Sequence, residues 1–166
     1  RSFFMRTQKA IREISFNAIV CALYVILVFS LSFMSYNALQ VRLAEVLILL
    51  VLINKKYTVG ITLGCFIANL IGPFGLIDAF VGGAATLLSC ILVSACKKPS
   101  LSIIIVPVCN ILVGLELAYI YSFNFSAFLI NTLWVMLGEA IAMTVGVIIF
   151  KLINKNEDLI KTIGDF

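Results

Sequence analysis

The stretch ISFNAIVCALYVILVFSLSFM, Ile14–Met34, carries no charged side chain from end to end. At 1.5 Å of rise per residue, an α-helix of this length reaches across the roughly 30 Å hydrocarbon core of a bilayer. Further apolar runs follow between charges and turn residues: Leu43–Ile53, Tyr57–Ile71, Ala79–Ala95, Leu101–Tyr121 and Ala127–Leu152. The second and third runs are short for a crossing, which predicts helices that are tilted, broken or extended by their polar flanks. The runs lack the period-2 alternation of a barrel, and an open sheet cannot sit in lipid. The expected fold is therefore an all-α integral membrane protein, one bundle of six transmembrane helices over residues 14–152. Residues 1–13 precede the bundle and a tail, 153–166, follows it. Residues 1–4 stand before Met5 and read as a cloning remnant. A long first run followed by several more argues against a cleaved signal peptide.

Composition agrees. The chain has 166 residues, of which 63% are hydrophobic and 12% charged, and its mean hydropathy is +1.17. A soluble domain would be about half apolar and about a quarter charged. The basic residues set the orientation. Arg1, Arg6, Lys9 and Arg12 precede the first run, Lys55 and Lys56 separate runs two and three, and Lys97 and Lys98 separate four and five. Lys151, Lys155 and Lys161 follow the sixth. With six crossings all of these fall on one side, cytoplasmic by the positive-inside rule, together with both termini. Arg42 alone lies on the other side.

The acidic residues divide differently. Glu13, Glu157, Asp158 and Asp165 fall in the cytoplasmic margins, whereas Glu45, Asp78, Glu116 and Glu139 lie within the runs or at their outer ends. A carboxylate at mid-membrane costs roughly 2.5–3.5 kcal/mol, so such residues pair, face a cavity or bind something. Helical rise places Arg42, Glu45, Asn69, Asp78 and Asn110 in the outer half, with Glu139 about 18 Å into the sixth run. Tyr36, Asn37, Gln40 and Trp134 could join them at its mouth. Together they suggest an acceptor-rich pocket, open to the outside, able to orient a flat polar molecule.

Each residue also has a structural alternative. Arg42 and Glu45, three apart, read equally as an interfacial ion pair. Asp78 reads equally as a helix N-cap, and Trp134 as a belt anchor. Glu116 and Tyr119 read as ordinary interfacial residues, and Glu139 as a buried acid bonded to a backbone carbonyl. Small residues four apart, Gly60–Gly64 and Ala18–Ala22, let helices approach closely. Packing within the bundle explains the first pair, and a partner protein explains the second equally well.

Several chemistries are excluded. With no His there is no His-based metal site, general base or triad. Neither a G-x-x-x-x-G-K-[ST] nor a G-x-G-x-x-G motif occurs. Cys21, Cys65, Cys90, Cys96 and Cys109 lack C-x-x-C spacing and read as small fillers. No cofactor, metal or nucleic-acid partner is expected, and an intramembrane enzyme is disfavoured.

The segments Gln40-Val-Arg-Leu-Ala-Glu45, Leu63-Gly-Cys-Phe-Ile-Ala-Asn69-Leu-Ile-Gly72, Gly75-Leu-Ile-Asp78, Gly82-Gly-Ala-Ala-Thr86 and Leu137-Gly-Glu139 resemble the QueT family. These are substrate-binding S components of energy-coupling factor (ECF) transporters, assigned to uptake of queuosine precursors. The similarity runs from about Ile14 to Leu152; Gly82-Gly83 departs from the Phe-Gly-type pair of the pattern. The resemblance implies a six-helix S-component bundle in a prokaryotic plasma membrane, not itself an enzyme. Ala18 and Ala22 would match the alanine motif that packs on the transmembrane T component, which couples to two cytoplasmic ATPases. The S component would load outside and topple to release inside. Its ligand would be a 7-deazaguanine: the aminomethyl or nitrile precursor, or queuine. The implied site is Arg42, Glu45, Asn69, Asp78, Asn110, Trp134 and Glu139. An S component for another vitamin or nucleobase, or a stand-alone secondary transporter, is the alternative.

Overall fold

The computed structural model describes residues 2–31, 41–120 and 124–164, with side chains from Arg6 onward. Among the described residues every regular element is helical. In chain order they are α1 (Ser2–Ser30), a 3₁₀ helix η1 (Leu43–Leu52), α2 (Tyr57–Ile71) and α3 (Leu76–Cys96), then a 3₁₀ turn (Pro99–Leu101). After it come α4 (Ser102–Cys109), α5 (Ile111–Ile120), α6 (Phe125–Ile153) and α7 (Glu157–Gly164).

Four stretches are long and apolar enough to cross a membrane: Arg6–Ser30, Leu76–Cys96, Pro99–Ile120 and Phe125–Ile153. The remaining two expected crossings, Leu43–Leu52 and Tyr57–Ile71, are shorter apolar helices. Winding partly compensates the first. A 3₁₀ helix rises about 2.0 Å per residue, so ten residues cover about 20 Å where an α-helix would cover about 15 Å. The fifth run is one column with a joint. Pro107 offers no N–H to the carbonyl one turn back, and Asn110, at φ −77° and ψ 4°, separates α4 from α5. The column continues because the Asn110 N–H reaches Val106 O at 3.1 Å and Asn110 O accepts from Val113 and Gly114 at 3.1 and 3.2 Å.

The bundle closes around η1, which touches α1, α2, α3 and α6. Its core joins Val20, Tyr24, Ile48, Leu49, Ile61 and Met143. Large apolar side chains also cover the outside, among them Ile14, Ile19, Phe80, Leu133 and Ile148. A soluble protein rarely exposes so much contiguous apolar surface; lipid is the solvent that suits it. The α1–α2 contact is close because Gly60 has no side chain: a Cβ there would stand 2.5 Å from Asn17 O. The freed space also admits a bond from the Gly60 N–H to Asn17 Oδ1 at 2.7 Å. Gly64 lies equally close to Cys21 and Tyr24, so this pair packs within the bundle as its spacing suggests.

At one end of the bundle the expected tail forms α7. Its last carbonyls, which have no partner inside the helix, are taken by other elements. Arg12 donates to Thr162 O at 3.2 Å, Tyr57 to Ile163 O at 2.7 Å and Asn54 to Gly164 O at 3.0 Å. Beside them Lys56 pairs with Glu13 at 2.5 Å.

Candidate functional site

The buried charges gather away from α7. Arg42 precedes η1 and Glu45 lies in its first turn. Asp78 lies in the first turn of α3. Glu139 sits deep in α6, fourteen residues or about 21 Å from Phe125. All four are at least 95% buried: Arg42 is 4% exposed, and Glu45, Asp78 and Glu139 are 1% exposed each.

Their contacts resolve two open alternatives. Arg42 pairs with Asp78, Nη2 to Oδ1 at 3.5 Å, and no Arg42–Glu45 bridge occurs among the described residues. Asp78 is not an N-cap, since Gly75 holds that position and α3 has no side-chain cap. Glu45 is held by other groups. Its Oε1 accepts from the Tyr24 hydroxyl at 2.6 Å and from Thr86 Oγ1 at 3.0 Å. The Thr86 hydroxyl also lies 3.2 Å from Cys65 Sγ. Asn69 donates from Nδ2 to Asp78 O at 3.1 Å and approaches Cys65 Sγ at 3.5 Å. Gly82 makes room for that amide, because a Cβ there would stand 2.2 Å from Asn69 Nδ2. One network thus ties α1, η1, α2 and α3 together.

The network leaves specific atoms free. Among the described residues Arg42 Nε, Glu45 Oε2, Asp78 Oδ2 and Glu139 Oε2 are buried with no hydrogen-bond partner. Each unsatisfied buried polar atom costs about 1–3 kcal/mol, more where charged. A ligand presenting one acceptor and several donors would relieve that cost. Polar groups held rigidly by second partners are already positioned for such a ligand, which lowers the entropy cost of binding it.

Not every expected residue joins. Asn110 is buried at the α4–α5 joint, with no side-chain bond to the cluster among the described residues. Trp134 is 46% exposed and faces away from the core, as a belt anchor would. Tyr36, Asn37 and Gln40 lie outside the described residues. Ala18 and Ala22 are exposed on α1, and Ala18 borders the groove beside Gly60 where α1 and α2 meet. In turn, sequence reasoning passed over Tyr24, Cys65 and Thr86, which hold the acidic cluster. Glu116, read as interfacial, is 5% exposed with both carboxylate oxygens unpartnered among the described residues. A carboxylate inside the run ILVGLELAYI was the available signal for it. Among the described residues no three His, Cys, Asp or Glu side chains are grouped as a metal would require.

Comparison with known proteins places the chain. A family model described as QueT transporter matches residues 14–155. Among curated proteins, the Queuosine precursor transporter QueT of Lactococcus lactis subsp. cremoris (strain MG1363) is 46% identical over 72 residues, 42% of this chain. The match likewise spans 42% of that relative. No solved structure matches. The chain belongs to the QueT transporter family.

Proposed function

We propose that this member of the QueT transporter family is the substrate-binding membrane subunit of an ECF-type importer, capturing a queuosine precursor from outside the cell. The ligand class is a 7-deazaguanine, such as 7-aminomethyl-7-deazaguanine or queuine. The observation that carries the proposal is the buried cluster of Arg42, Glu45, Asp78 and Glu139, drawn from η1, α3 and α6, with one donor and three acceptor atoms unpartnered among the described residues. A guanine-like edge presents N1–H and an exocyclic amine, a donor pair suited to one carboxylate. Glu139, whose Oε2 has no hydrogen-bond partner among the described residues, takes that edge. Arg42 Nε, the free donor, takes the ring carbonyl, and Glu45 is the alternative acceptor. The name of the curated relative is consistent with this class of ligand.

In this reading the bundle crosses the plasma membrane six times, η1 and α2 being the two short crossings. Eleven of the twelve Lys and Arg residues then face the cytoplasm with both termini. Ala18 and Ala22, on the exposed face of α1, dock the T component, and ATP is hydrolysed on its two ATPase partners. A stand-alone secondary transporter is the second possibility, favoured by the joint at Asn110, since such transporters build their sites from discontinuous helices. Reconstitution decides between them. Uptake of a labelled 7-deazaguanine into proteoliposomes should need the T component, both ATPases and ATP. Uptake by this chain alone would contradict the ECF assignment.

A further inference from the structure

We infer that Glu116 is the counter-ion for a positively charged substituent on the ligand, so that the site selects cationic over neutral 7-deazaguanines. This rests on the function proposed above and names a residue outside the expected site. Three observations lead to it. First, Glu116 is buried in α5 at 5% exposure, and neither carboxylate oxygen has a partner among the described residues. Two of the other acids are partly engaged, Asp78 Oδ1 by Arg42 and Glu45 Oε1 by Tyr24 and Thr86, and Glu139 is assigned to the ring edge in the function proposed above. Asp78, the obvious candidate for a ligand ammonium, therefore already has its cation. Second, α5 packs against α3, the helix that carries Asp78, and Ile77, next to Asp78, lines the same groove as Glu116. Four carboxyl groups there face a single guanidinium. A neutral ligand would close the site over several uncompensated acids, a costly arrangement in low dielectric. A ligand ammonium removes one of them. Third, Glu116 is one of the residues around a groove of about 390 Å³ between α3 and α5, with Ile77, Val81, Leu112, Leu115 and Tyr119, and its carboxylate oxygens lie buried beneath it. Burial of the carboxyl among apolar side chains lowers the local dielectric, which strengthens an ammonium–carboxylate bond.

The test is a calorimetric titration of the full chain with 7-aminomethyl- and with 7-cyano-7-deazaguanine, which differ in that one carries a cation. Wild-type protein should prefer the aminomethyl compound. Glu116→Gln should weaken that compound by about tenfold or more while moving the nitrile less than about twofold. Retained nitrile binding also shows that the variant is folded. Glu116→Asp, a milder change, should reduce the preference without abolishing it. Equal losses for both ligands, an unchanged preference in the variants, or no preference in the wild type would overturn the inference; the last two would leave the groove to some other occupant, such as a lipid amine. Wild-type protein that binds neither compound would remove the proposed function itself, and this inference with it.

Discussion

Tyr24 and Thr86 show how a side chain without charge can decide what a charged one does. Both hold the same oxygen of Glu45, from α1 and from α3, so the other oxygen keeps one direction. Tyr24→Phe and Thr86→Val should each weaken deazaguanine binding several-fold while leaving helix content unchanged, as a hydrogen bond to a charged group contributes about 1.5–3 kcal/mol. Titration calorimetry with circular dichroism checks both halves; unaltered affinity would show that Glu45 needs no orientation. Arg42, Glu45, Asp78 and Glu139 were legible in the sequence because a charge in an apolar run has few explanations. Tyr24, Cys65 and Thr86 were not, since each is also an ordinary packing residue and only the fold reveals what it touches. Trp134 was ambiguous for the opposite reason: an aromatic near a polar mouth suits a stacking role and a lipid anchor alike, and its outward face suits the anchor.

At the scale of elements, the contact between α1 and α2 depends on the absence of a side chain at Gly60. Gly60→Ala would push a methyl group against Asn17, forcing a shift that costs about 1–3 kcal/mol. The thermal midpoint in detergent should fall, and more than for Ala22→Leu, at an exposed position on α1; equal effects would place the helix contact elsewhere. The α7 latch offers a second prediction. Replacing Arg12, Asn54 and Tyr57 by Ala, Ala and Phe removes the three donors that end this helix. Limited proteolysis should then cut faster after Lys155 and Lys161, and an unchanged rate would show that the latch contributes nothing. Runs of apolar residues made most helices legible, because length and hydropathy alone distinguish them. The 3₁₀ winding of η1 and the joint at Asn110 were not legible. Composition is the same for either helix type, and a proline in an apolar run does not say how sharply the chain turns there.

For the whole molecule, the apolar exterior and the segregated charges describe a body that lipid surrounds. Exposed Cys96, at the end of α3 beside Lys97 and Lys98, gives a direct probe of orientation. In right-side-out vesicles a membrane-impermeant thiol reagent should modify Cys96 only after the membrane is opened, with the other cysteines replaced. Immediate labelling would invert the proposed topology. The six-crossing bundle was drawn from hydropathy and the basic residues; by length alone four stretches qualify. Of the two short ones, Leu43–Leu52 packs at the centre against four helices, whereas Tyr57–Ile71 turns Val59, Leu63, Leu70 and Ile71 outward.

The central claim is that the buried acid cluster binds a 7-deazaguanine, and one titration tests it most directly. Purified protein in detergent is titrated with 7-aminomethyl-7-deazaguanine, wild type beside Glu139→Gln. One-to-one binding by the wild type, weakened at least about tenfold in the variant, a loss of about 1.4 kcal/mol or more, is the expected result. Binding of equal strength in both proteins would contradict the placement of the site, and folded wild-type protein that binds neither this compound, the nitrile nor queuine would contradict the function.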